Sequence, residues 1–112
     1  RQRKDEYVNE LQAFKKAGGS REDALLERLL IFALIEARSC ERFRLLSLHC
    51  ADPALRGWYH KFMVAEASHY RLFLDLAELY FDKDRVWARW QEYLRYEAGI
   101  MQRITPRGDR IH

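Results

Sequence analysis

Glu66-Ala67-Ser68-His69 places a carboxylate and an imidazole three residues apart. On an α-helix that spacing puts both groups on one face. A second carboxylate, Glu36, lies in the stretch ALIEARSCERF (Ala33–Phe43), on the side of the helix that carries Leu29, Ala33, Cys40 and Phe43. A charge among apolar residues is costly unless it is paired, hydrogen-bonded or bound to a metal. Carboxylate oxygens with an imidazole suit Fe(II) or Mn(II). One Glu with a Glu-x-x-His on the neighbouring helix is half of a carboxylate-bridged dinuclear set.

The competing reading pairs Glu36 and Glu66 with Arg38, Arg42 or Arg71 and leaves His69 as an ordinary core histidine. Two observations favour metal. Glu66 and His69 sit within the apolar stripe Tyr59, Phe62, Met63, Tyr70, Phe73, Ala77 and Tyr80, not opposite it. The second is level. Antiparallel helices joined by a tight turn bring residues equidistant from the turn to one height, and positions 36 and 66 are centred on 51, inside Cys50-Ala51-Asp52. Glu41 falls about five residues, roughly 7 Å, off that level. Glu97 shares a stripe with Trp90, Tyr93, Leu94 and Met101 and is expected to approach the same layer across the Phe81-Asp82 turn.

The elements that must hold these groups all read as helix. A short segment over 5–17, with Tyr7, Leu11 and Phe14 on one face, stops at Gly18-Gly19. Ser20-Arg21-Glu22-Asp23 has the form of a capping box. Long helices follow over about 21–48, 53–80 and 84–103, with Asp52 and Pro53 as a start signal and a tail over 104–112. No strand-like alternation interrupts them. The expected architecture is one all-α domain, an up-and-down bundle whose short first helix barely completes a four-helix layer.

The 112 residues are 48% hydrophobic and 13% aromatic, enough for a core, and no apolar run is long enough to span a bilayer. Cys40 and Cys50 lack the spacing of a disulfide framework or zinc site, so a reducing cytoplasm is the expected compartment. The net charge is +3, with fifteen arginines among twenty basic residues. That suits RNA phosphates without establishing them as partners. Arg42, Arg44, Arg71, Arg85, Arg89 and Arg95 are candidates to track an RNA backbone, with a solvated face as the alternative. Trp58, Trp87 and Trp90 are expected as core or helix-contact residues, and His49 and His60 in water near the turn. Arg107-Gly108-Asp109 matches an integrin-binding tripeptide, a chance match in such a chain.

LIEARSCERF followed by AEASHYRLFLDLA resembles the second half of the bacterial MiaE-type tRNA hydroxylases, which act on 2-methylthio-isopentenyl-adenosine beside the anticodon. The resemblance covers about Leu26 to Ala77, weakens over the fourth helix and returns at Arg110-Ile111-His112. Where that family is expected to read SEARHY, this chain has AEASHY: Ser68 replaces an arginine while Glu66 and His69 are kept. The resemblance implies a ferritin-like fold and a non-haem di-iron centre that uses O₂ and an electron donor to hydroxylate the isopentenyl chain. It makes Glu36 a terminal carboxylate ligand, Glu66 a bridging one and His69 the imidazole ligand, with Arg38, Glu41 and Arg42 around them. Cys40 neighbours the site and is expected as a buried small hydrophobe.

No second Glu-x-x-His occurs in the sequence. The other half of the ligands must come from an N-terminal half of a longer protein or from a second copy. The first of these is preferred, since the chain begins at Arg1 and not at methionine. Two further alternatives remain: a metal-binding bundle acting in iron handling or on another substrate, and a non-catalytic helical interaction module.

Overall fold

A computed structural model describes residues 2–15 and 19–104. Gly18 and the tail from 105 onward, including Arg107-Gly108-Asp109 and Arg110-Ile111-His112, lie outside the described residues. Four helices follow one another: α1 (Gln2–Ala13), α2 (Arg21–His49), α3 (Pro53–Tyr80) and α4 (Lys83–Ile104). Among the described residues there is no strand. The fold is all-α, as a ferritin-like bundle requires.

Local chemistry sets the helix ends. Ser20 Oγ accepts from the Asp23 N–H and Asp23 Oδ2 accepts from the Ser20 N–H, both at 3.1 Å, closing the capping box at the start of α2. Gly19 is needed beside it, since a Cβ there would stand 2.7 Å from Asp23 Oδ2. Asp52 caps α3 by accepting from the Ala54 N–H at 2.9 Å, with Pro53 in the first turn. Asp82 Oδ2 accepts from the N–H groups of Asp84 and Arg85, which starts α4 at Lys83, one residue before the expected position. α1 stops at Ala13, short of the expected 17. There Phe14 turns inward to stack on Tyr96 at 4.2 Å and meet Tyr93 edge-on at 5.0 Å.

α2 and α3 run antiparallel side by side, with Phe32 against Phe73 and Phe43 against Phe62. The core lies toward one end of this pair. Leu26, Leu29, Leu30, Ile31, Ala33 and Leu34 of α2 meet Leu74 and Ala77 of α3, Tyr7 and Leu11 of α1, and Val86, Trp90, Tyr93 and Ile100 of α4. Each large apolar side chain buried there contributes about 1.5–3 kcal/mol, so this cluster anchors the molecule. Beyond Leu34 α2 has no buried residue; past Ile35, which still packs against the core, and Arg38, which reaches Glu97 of α4, it lies mainly against its partner helix.

Two expectations are corrected. Trp58 of α3 and Trp87 of α4 are each 62% exposed, both lying outside the core cluster; only Trp90 is core. Arg89 does not belong to a solvated basic face. It is buried, donating from Nε and Nη2 to Glu27 at 2.9 and 2.7 Å and from Nη2 to the Phe14 carbonyl at 2.9 Å. Its guanidinium also lies over the Phe14 and Tyr93 rings. A fully hydrogen-bonded, carboxylate-paired guanidinium is the form in which an arginine is accommodated in a core.

Candidate metal centre

Glu36 sits near the middle of α2, and Glu66 and His69 near the middle of α3. The three-residue turn between the helices sets their levels, and the three groups meet. One ligand-type atom from each lies within 4.8 Å of the other two. His69 Nδ1 stands 3.4 Å from Glu36 Oε1 and 3.4 Å from Glu66 Oε1. Glu36 and Glu66 are about three-quarters buried, with side-chain exposures of 27% and 24%. His69 is exposed, unlike the interior position expected for it, because α1 and α4 pack on the other flank of the hairpin and leave its side open.

Two carboxylates pointed at each other inside a protein repel unless something positive lies between them. A hydrogen bond with Glu66, then burial, then the Glu66 charge hold the Glu36 carboxyl above the usual carboxylate range; His69 partly offsets this. Glu36 Oε1 is buried and accepts no hydrogen bond, its 3.4 Å approach to His69 being ionic in range but not a formed bond. A buried acceptor left this way is unusual and marks a place for a further partner. The donor set is two carboxylates and one imidazole, which fits a hard-to-borderline dication such as Fe(II) or Mn(II).

The arginines proposed to neutralise these carboxylates are engaged elsewhere. Arg38 turns away to Glu97, Arg42 donates to Ser39 Oγ at 3.3 Å, and Arg71 pairs with Asp75 at 2.8 Å. Glu41 is held by Arg44 on the surface of α2, through contacts of 2.7 and 3.1 Å. Cys40 Sγ donates to the Met63 carbonyl at 3.5 Å across the helix pair, and burial pushes its thiol up. It is adjacent to the site and bonded to backbone.

Glu97 is buried but does not join the three. Its Oε2 accepts from Tyr7 Oη at 2.6 Å and stands 3.0 Å from Arg38 Nε. That Nε contact is close but poorly aligned, so Arg38 Nε is in ionic range without a directed hydrogen bond. Tyr7 and Glu27 are the buried polar partners that sequence reasoning missed. Tyr7 looked like one more apolar-face residue, and the only signal for Glu27 was its place between Leu26 and the Leu29-Leu30 pair.

The family described as tRNA-(MS2IO6A)-hydroxylase (MiaE) matches residues 3–112. The chain is similar to the tRNA 2-(methylsulfanyl)-N(6)-isopentenyladenosine(37) hydroxylase of Pseudomonas putida, 44% identical over 71 residues, which is 63% of this chain and 34% of that protein. It is also similar to the protein of the same description from Salmonella typhimurium, 36% identical over 77 residues, 69% of this chain and 28% of the relative. The chain thus spans about a third or less of the length of these curated relatives. No solved structure gives a significant match.

Proposed function

The chain belongs to the MiaE family of tRNA hydroxylases, and from that premise we propose that it carries half of the di-iron centre of an O₂-dependent enzyme. Its substrate would be the isopentenyl group of 2-methylthio-isopentenyl-adenosine in tRNA. One observation carries the reading: Glu36, Glu66 and His69 converge within 4.8 Å, and the buried Glu36 Oε1 has no hydrogen-bond partner.

Glu36 and Glu66 would serve as carboxylate ligands and His69 as the imidazole ligand. An equivalent set from the rest of a longer protein or from a second copy completes a dinuclear site. When bound, the iron pair supplies the oxidising power toward an unactivated C–H bond that no side chain has. The protein's part is positional. The Cys50-Ala51-Asp52 turn fixes the level of the two carboxylates, and Met63, Phe43 and Phe62 keep that stretch of the hairpin apolar. Arg38, held at Glu97, keeps its guanidinium away from the carboxylates, so their charge remains available to the metal. An electron donor and tRNA are the partners, and a tRNA substrate puts the protein in the cytoplasm. No helix is long and apolar enough to cross a membrane among the described residues.

The test is iron content together with tRNA nucleoside analysis of cells carrying the enzyme in its intact form. Glu66→Ala and His69→Ala are expected to abolish iron loading and the hydroxylated nucleoside while leaving helicity unchanged. Iron-free wild-type protein, with both variants fully active, would overturn the proposal.

A further inference from the structure

We propose that the turn end of the α2–α3 hairpin is a docking surface for RNA, on which Arg42, Arg56 and Lys61 meet phosphates and Trp58 stacks on a base. The choice of RNA rests on the tRNA reading above. The charge pattern that marks the surface does not, and neither depends on the metal.

Of the six arginines that could track an RNA backbone, four are tied to acids: Arg44 to Glu41, Arg71 to Asp75, Arg85 to Asp23 and Arg89 to Glu27. Arg42 and Arg95 are left. Arg42 donates to Ser39 Oγ at 3.3 Å and has other cations near its level. Positions 42 and 60 are equidistant from 51, so the antiparallel hairpin brings Lys61 within one residue of the height of Arg42. Arg56 lies four residues from that height, about 6 Å nearer the turn, and its Nη1 donates to the Cys50 carbonyl at 3.2 Å. None of the three cations has an acidic partner among the described residues.

This end of the hairpin is therefore positive in sum. Its acids are Glu41, which is taken up by Arg44, and Asp52, which caps α3. Elsewhere the unpaired cations Arg21 and Lys83 have acidic neighbours, Arg21 adjoining Glu22 and Lys83 lying between Asp82 and Asp84. Taking three unpaired cations out of water beneath an apolar surface is costly, so charge complementarity selects a polyanion as the partner.

Trp58 narrows the polyanion to a nucleic acid. It is 62% exposed, stands three residues from Lys61 and meets Phe62 edge-on at 5.8 Å. An exposed indole among cations offers a base a face to stack on while the phosphates meet the charges. Distance agrees. Along the hairpin axis Arg42 stands about 9 Å from Glu36, and Lys61, Trp58 and Arg56 about 8, 12 and 15 Å from Glu66. Nucleotides flanking one whose isopentenyl chain enters the site are within reach of all four.

Anisotropy of a labelled anticodon stem-loop RNA with the enzyme in its intact form, between about 50 and 200 mM KCl, tests this. Arg42→Gln, Arg56→Gln and Lys61→Gln should each weaken binding and reduce the salt slope by about 0.7–0.9, at unchanged helicity and iron content. Trp58→Ala should weaken binding at least about fivefold with the slope unchanged, and Arg95→Gln should alter neither. RNA binding that all four substitutions leave intact, or that Arg95→Gln weakens equally, overturns the docking surface and spares the tRNA reading. An intact enzyme that binds no RNA overturns both. Binding to phosphatidylserine vesicles in place of RNA, lost with the same substitutions, would assign the surface to a membrane and overturn the proposal.

Discussion

Arg89 of α4 grips Glu27 of α2 across 62 positions of sequence, through Nε to Oε2 at 2.9 Å and Nη2 to Oε1 at 2.7 Å. Tyr93 Oη donates to the same Glu27 Oε1 at 2.6 Å. Removing one partner of a buried pair leaves the other charge without compensation, which costs about 3–5 kcal/mol. Arg89→Ala should therefore lower the unfolding free energy by about that amount in urea titrations. Replacing Arg89 and Glu27 together by apolar residues of similar volume should cost much less than Arg89→Ala alone.

Tyr7 attaches α1 to the bundle through its hydrogen bond to the buried Glu97. Tyr7→Phe keeps the ring and removes the donor, so Glu97 retains only its ionic contact with Arg38. A buried acceptor stripped of its donor costs about 1–3 kcal/mol. The change should be seen as faster amide exchange in α1 with α2 and α3 little affected.

The phenols of Tyr7 and Tyr93 are both pushed far up, first by burial and then by hydrogen bonding to Glu97 and Glu27. The unfolded chain releases these protons near the ordinary tyrosine value of about 10, whereas the folded chain keeps them. Above that pH the native state binds more protons than the unfolded state, so stability must fall as pH rises. Their contribution is complete below about pH 10. Absorbance titration should show these two phenols ionising only as the fold is lost; early, reversible ionisation of all six tyrosines would contradict it.

At the other end of the scale, Asp23 is held below the ordinary aspartate range by the Ser20 N–H, then by Arg85. Its capping contribution is present above the unfolded value and is lost as pH falls through the lowered one. Amide exchange in the first turn of α2 should accelerate on acidification before the rest of the helix responds. Ser20→Ala should cost about 1 kcal/mol at neutral pH.

Glu36→Gln separates stability from metal binding. Without metal it removes the like-charge contact with Glu66 and should raise stability slightly, by roughly 0.5 kcal/mol. With Mn(II) it should weaken binding by at least about tenfold, in the range seen when ligand surroundings are altered. Melting curves in EDTA and in Mn(II) should therefore shift in opposite directions relative to wild type.

The four helices were legible in the sequence because their signals are local. Apolar spacing, the Ser20–Asp23 box and the Asp52 cap act within one or two turns. The meeting of Glu36 with Glu66 and His69 was legible for a related reason: a short turn between two antiparallel helices converts sequence distance directly into height. That geometry holds whatever packs around the pair.

What only the tertiary structure decided is which flank of each helix finds cover. Glu97 sits on an apolar stripe as expected, yet Tyr7 and Arg38, from two other helices, hold it apart from the ligands. Arg89 carried the pattern of a surface arginine but lies in the core, because Glu27 of α2 and Phe14, just after α1, meet it there beside Tyr93 of its own helix. His69 faces outward because α1 and α4 chose the opposite flank of the hairpin. Helix formation and level depend on neighbours in sequence; burial depends on neighbours in space, which side-chain packing between helices selects.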